Sequence, residues 1–211
     1  EAFRFAVEND KPVHFLGLLS DGGVHSHIDH LKGLIRAADE AGVPASYVHA
    51  FTDGRDVDPK SGVGFVRDLM EFARPTRTRL ASVVGRYFAM DRDKRWERVK
   101  KAYDLLVNGT GTATDNPVAA LEASYAAGTT DEFVEPIAVA GPDGKPLAQI
   151  RDGDVVVFFN FRTDRGRELT LALSQEAFHE QNMHPLKLHY VTMTNYDDTF
   201  KDVHVVYDKE N

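Results

Sequence analysis

The chain has 211 residues, 42% hydrophobic and 27% charged, an ordinary balance for a globular protein and enough length for one large domain or two small ones. Its formal net charge of −8 argues against a nucleic-acid partner, which needs a basic face, but leaves room for a local arginine pocket that takes a small anion. The absence of cysteine excludes disulfides and thiolate metal sites and fits a cytoplasmic protein. No run of about 18 apolar residues is present, so no segment is expected to span a membrane.

The opening EAFRFAVENDK has neither the pattern of a signal peptide nor that of an apolar anchor. It starts without Met and reads as the end of an amphipathic helix with Phe3, Phe5 and Ala6 inward, so the chain is expected to be a segment of a longer protein. VHFLGLL (13–19) is a continuous apolar run, the pattern of a strand buried on both faces, and it stops at Asp21-Gly22-Gly23. Helical spacing follows at Ile28, Leu31, Leu34, Ile35 and Ala38, with Ser26 expected as N-cap, Asp29 at N3 and Gly42 as the stop. SYVHAF (46–51) is a second strand, a helix is expected over about 60–74, and RLASVVG (79–85) is a third strand.

The stretch 94–109 predicts a helix with Trp96, Val99, Tyr103 and Leu106 inward, and Asn116-Pro117 predicts the N-cap and first residue of another, ending at Gly128. PIAVAGPDGKPLAQI (136–150) predicts a hairpin around Asp143-Gly144 and therefore a mixed sheet. DVVVFFNF (154–161) is strongly strand-like and leads into a helix expected to start near Asp164. Strands are expected again in 187–194 and 203–208. This alternation predicts a single α/β domain, three-layer α/β/α, with a mixed, mostly parallel sheet.

Four expected strand ends carry polar clusters: SDGGVHSH, TDGRDVD, GRYFAMDRDKRW and NFRTDRGRE. Ligands bind outside the carboxyl ends of strands in such sheets. Three of the clusters supply arginines, namely Arg55, then Arg86 and Arg92, then Arg162 and Arg165. Guanidinium is always charged and bonds phosphate or carboxylate through parallel N–H groups. Five arginines suit a small ligand that bears both. Arg162 and Arg165, if helical, would share one face in the first turn, where free backbone N–H groups also favour an anion. A lone arginine is more often a solvated surface residue, and Arg4, Arg36 and Arg67 are assigned to that class.

The first cluster, LLSDGGVHSHIDHL, holds His25, His27 and His30 with Asp21 and Asp29. Three readings are open for it: a metal site built on the His25-x-His27 pair, a structural helix start, or a ligand contact. The other histidines form no second ligand cluster in the sequence.

LLSDGGVHSHIDHL, DGRDVDPKSG, GRYFAMDRDKRW and NFRTDRGREL together resemble, in order, the signature segments of the cofactor-independent (2,3-bisphosphoglycerate-independent) phosphoglycerate mutases. The resemblance runs from about residue 12 to 175 and onward. It implies an isomerase of glycolysis and gluconeogenesis that interconverts 3-phosphoglycerate and 2-phosphoglycerate through a phosphoserine. It further implies a two-domain enzyme, whose phosphatase-like catalytic domain holds the serine and two manganese ions, while an inserted domain grips the substrate.

This chain resembles the inserted domain alone, with residues 1–10 and 196–211 near the interdomain hinges and no metal or cofactor of its own. By motif, the implied substrate-binding residues are His25, Arg55, Asp56, Arg86, Arg92, Arg162 and Arg165. Asp56 is the candidate catalytic proton acceptor and donor, with Arg55 beside it expected to hold its pKa low or moderate. No serine nucleophile segment or two-metal set is found, so the chain alone is expected to be inactive. The competing readings are an autonomous phospho-ligand module without chemistry and a metallohydrolase using the His-x-His pair.

Overall fold

The structure is a computed structural model and describes residues 1–208. The end of the 196–211 stretch, from residue 209 onward, therefore lies outside the described residues. Strands β1 (Val13–Leu18), β2 (Ser46–Thr52), β3 (Thr78–Gly85), β4 (Thr112–Thr114), β5 (Ile137–Val139), β6 (Val155–Phe158), β7 (His189–Thr192) and β8 (Val203–Val205) form one sheet in the order β4-β5-β3-β2-β1-β6-β7-β8. Neighbours from β3 through β8 in that order are parallel. β5 runs antiparallel to β3 and carries β4 parallel to itself, so the sheet is mixed at that edge.

Every residue of β1 is buried, which is why its run is apolar without alternation. Successive side chains serve opposite layers. Val13 and Phe15 meet the layer of α1 (Ala2–Asn9), α2 (Ile28–Ala41), α3 (Gly62–Ala73) and α6 (Pro117–Ala126) through Ala6, Leu31, Ile35, Val66, Leu69 and Leu121. Leu16 and Leu18 meet the opposite layer of α4 (Arg86–Ala89), α5 (Trp96–Asn108) and α7 (Arg167–Thr170), through Phe88, Val99, Leu106 and Leu169. This is the expected α/β/α architecture. Emptying one such position, for example Phe15→Ala, should cost about 3–5 kcal/mol.

Three local expectations need correction. The N-cap of α2 is His27, whose Nδ1 accepts the Asp29 N–H at 3.0 Å, whereas the Ser26 hydroxyl donates to the Leu18 carbonyl at 2.5 Å. The helix expected near Asp164 begins only at Arg167 and widens into a π-type turn over Leu171–Gln175. Arg162 and Arg165 therefore lie in the turn before it, not in a first helical turn. The expected hairpin reduces to a turn at Gly144 (φ 77°) and one bridge, Ala140 to Pro146. Its first arm, β5, pairs with β3 and β4 instead.

Inside the sheet, the Asp154 carboxylate, His14, His49 and the Ser82 hydroxyl form a buried chain of hydrogen bonds at 2.9, 2.9 and 2.7 Å. The chain lets polar groups lie inside an apolar sheet without orphaned atoms.

Candidate functional site

From β1 the chain steps outward through β2 to β3, and from β6 outward the other way through β7 to β8, so β1 and β6 flank the point where strand order reverses. Ligands in open parallel sheets bind at the carboxyl ends beside such a reversal. The four polar clusters follow β1, β2, β3 and β6, which are four consecutive strands in space.

The turn after β2 organises the centre. Asp53 Oδ1 accepts the N–H groups of Arg55 and Asp56 at 3.1 and 2.9 Å, and its Oδ2 accepts the Ser20 hydroxyl at 2.7 Å. Gly54 makes this turn possible. Its φ is +64°, and a Cβ there would lie 2.8 Å from the Glu132 nitrogen. Arg86, the first residue after β3, is 3% exposed and donates from Nη1 to Asp53 at 2.9 Å and to Asp56 at 2.8 Å. The partner of Asp56 is thus Arg86. Arg55 instead points its guanidinium toward Glu132, at 3.6 Å.

Nη2 of Arg86 lies 3.2 Å from Nε2 of His25. A guanidinium has no acceptor, so Nε2 must accept. Burial, then Arg86, pulls the His25 pKa down to about 4, so the ring is neutral at pH 7 with its proton on Nδ1. That Nδ1 is buried and has no hydrogen-bond partner among the described residues, leaving an N–H donor ready for an incoming acceptor. The backbone carbonyl of His25 accepts the Phe161 N–H at 2.8 Å, which ties the first cluster to the loop after β6.

Arg92 and Arg162 meet on one carboxylate. Asp164 Oδ2 takes Nη1 of Arg92 at 3.1 Å, and its Oδ1 lies 3.0 Å from Nε of Arg162. Arg165 donates to the Met90 carbonyl at 3.0 Å. Its pKa is pressed down by burial and then by the positive charges of Arg86, Arg92 and Arg55. A cleft of about 320 Å³ opens among Arg55, Arg86, Arg92, Arg95, Arg98 and Arg165, with Tyr87 and Phe133 on its wall and Asp91, Asp93 and Glu132 among them, six guanidinium groups against three carboxylates. His25 lies behind Arg86, and Arg162 stands beside His25; neither lines this cleft directly.

The sequence alone does not single out Asp53, Asp164, Arg95 or Arg98. Asp-Gly turns are common, which masks Asp53; Arg95 and Arg98 fall in a helical stretch that reads as a solvated face; and Asp164 reads as a helix start.

The His-x-His pair does not converge, since His25 faces Arg86 while His27 caps α2. Among the described residues no group of three or more His, Asp or Glu side chains is placed to hold a metal ion. The described residues therefore do not fit a metal centre. A larger cavity of about 630 Å³ opens near Lys11, Lys145 and Arg151, but Asp10, Asp143 and Asp154 share its wall, so it concentrates no single charge.

Comparison with known proteins agrees with the fold. Residues 1–198 match the family described as BPG-independent PGAM N-terminus (iPGM_N). The 2,3-bisphosphoglycerate-independent phosphoglycerate mutase of Flavobacterium johnsoniae is 64% identical over 211 residues, all of this chain and 42% of that protein. The protein of the same name from Clostridium novyi is 51% identical over 212 residues, again all of this chain and 41% of its own length. A crystal structure of Leishmania mexicana phosphoglycerate mutase at low cobalt concentration superposes with a TM-score of 0.86 and 32% identity, over 94% of this chain and 39% of that one. The chain thus spans about two fifths of the length of the relatives it matches. It belongs to the BPG-independent phosphoglycerate mutase family and corresponds to the family's N-terminal (iPGM_N) part.

Proposed function

We propose that this chain grips the glycerate part of 3-phosphoglycerate and 2-phosphoglycerate for a cytoplasmic glycolytic mutase. The phosphoryl group is moved by a phosphatase-like catalytic domain of the same protein, which carries a serine nucleophile and two manganese ions. Nothing in this chain's donor set is assigned to those ions. The observation that carries the reading is the convergence of three strand ends, after β2, β3 and β6, on an arginine-lined cleft, with the buried neutral His25 of the neighbouring β1 end behind Arg86.

In this reading Arg55, Arg86, Arg92, Arg162 and Arg165 hold the carboxylate and phosphate, which is positioning and charge stabilisation. The His25 Nδ1–H donates to a substrate oxygen. Asp56, ordered by Arg86 and 18% exposed, accepts and returns the proton of the substrate hydroxyl. These roles rest on the family resemblance of the segments and on the placement described above.

Calorimetric titration of the chain with 3-phosphoglycerate tests the reading. Binding is expected, and Arg162→Glu should abolish it while the circular dichroism stays unchanged. Unchanged binding by that variant would remove Arg162 from the site. Isomerisation of 3-phosphoglycerate by the 211-residue chain alone, with manganese added, would overturn the division of labour between the two parts.

A further inference from the structure

The loop from Asp91 to Arg95 joins α4 to α5 and carries Arg92. It is held at two points. At its base, Asp91 Oδ2 accepts the N–H groups of Asp93 and Arg95 at 3.1 and 2.9 Å. At its middle, Lys94 takes the left-handed conformation (φ 57°), which disfavours a residue with a Cβ, and donates its N–H to Oε2 of Glu168 in α7 at 3.2 Å.

Glu168 and Asp91 are 6% and 4% exposed, and their carboxyl groups face each other. Glu168 Oε1 is buried with no donor reaching it among the described residues. Two carboxylates in such contact cannot both be charged without a large penalty, so below about pH 7 one proton lies between them. Burial and then Asp91 push the Glu168 pKa up to about 7. Against burial, the hydrogen bond from Glu168 and then the Arg95 and Asp93 N–H groups keep Asp91 low.

The charged groups around the pair are Asp93 from the loop, and Arg95 and Arg98 from α5 and the residue before it, at 3.3 and 3.8 Å from Asp91. Both cations are on the Asp91 side, which settles the proton on Glu168.

We propose that Glu168 is a positioning residue: as the protonated partner of Asp91 it holds the Asp91–Arg95 loop in the shape that presents Arg92 to the anion, and loss of that proton releases the loop. The role in anion binding rests on the proposed function; the latch itself does not.

The test uses the 211-residue chain with sulfate, whose charge is constant from pH 5.5 to 8.5. The Glu168 carboxyl carbon and the Lys94 amide are followed by NMR over that range. Both are expected to titrate together near pH 7, and sulfate affinity should weaken at least about fivefold across the transition, a typical coupling between two sites. Glu168→Gln keeps a donor for Asp91 and an acceptor for Lys94, so its affinity should stay high at every pH. Glu168→Leu lacks both and should bind weakly at every pH, with unchanged core methyl signals as the check on folding.

Titration of Glu168 below pH 5.5, a pH dependence that survives in Glu168→Gln, or full affinity in Glu168→Leu would each overturn the proposal. If Glu168 and Lys94 titrate together but sulfate never binds, the latch stands and the anion-site reading fails.

Discussion

The guanidinium of Arg86 and the imidazole of His25 meet at 3.2 Å, and this contact leaves His25 a neutral donor through Nδ1. Nitrogen-15 NMR of the histidine rings should show the Nδ1–H tautomer of His25 from pH 5 to 8. Arg86→Gln should raise the His25 pKa toward the ordinary value, since the positive charge beside it is gone while Asp56 remains 3.9 Å away. An Nε2–H tautomer in the unaltered chain would contradict the assignment.

Arg86 also neutralises Asp53 and Asp56. Removing it strands a carboxylate on Asp53, which is 1% exposed, so Arg86→Leu should destabilise the fold by about 3–5 kcal/mol in urea titrations. A loss under about 1 kcal/mol would show that solvent reaches the carboxylates.

Asp164 pairs with both Arg92 and Arg162. An incoming anion competes with it for the same N–H groups. Asp164→Asn is therefore expected to tighten binding of inorganic phosphate by up to about tenfold, the worth of roughly one charge-assisted hydrogen bond. Weaker binding would mean that Asp164 chiefly orients the two arginines.

Acid should destabilise the chain. Burial, then His14, holds His49 well below the ordinary histidine value; burial, then Arg86, holds His25 at about 4; burial, then His204, lowers His189. In the unfolded chain all three take up protons near pH 6.5, so stability present above that pH is lost as it falls. Glu168 acts in the opposite sense: its raised pKa gives stability at low pH that is lost as pH rises toward 7. Three histidines act against the one carboxyl group, so the net is a loss of stability as pH falls below 6.5. Urea midpoints at pH 7.5 and 5.5 measure this, and equal midpoints would contradict it.

Gly54 carries the turn that presents Arg55 and Asp56. Gly54→Ala must place a Cβ at φ +64° and 2.8 Å from the Glu132 nitrogen, so it should cost at least about 1–2 kcal/mol and weaken 3-phosphoglycerate binding as well. Loss of stability with unchanged affinity would separate the turn from the site.

The legible parts of this fold are those governed by periodicity. β1, β2, β3 and β6 are apolar runs buried on both faces, and α2, α3 and α5 repeat apolar residues at helical spacing. β4 was not legible, because three short, largely exposed residues, Thr112–Thr114, join the sheet only through β5. The shift of α7 to Arg167 was not legible either. The loop before it follows distant partners, with Arg165 on Met90 and Asp164 on Arg92. At the site, residue types at strand ends marked the arginines and His25. Their carboxylate partners were hidden because pairs such as Arg86 with Asp53 or Arg92 with Asp164 are far apart in sequence.

The central claim is that the arginines at three strand ends, with His25 from a fourth, form one binding site for phosphoglycerate. Its most direct measurement is an NMR titration of the chain with 3-phosphoglycerate, reading the arginine Nε–Hε signals and the His25 Nδ1–H. Saturable shifts at Arg55, Arg86, Arg92, Arg162 and Arg165, with the His25 signal moving at the same ligand concentration, are predicted. Saturable binding that leaves these signals in place, or moves those of Lys11 and Arg151 instead, would contradict it.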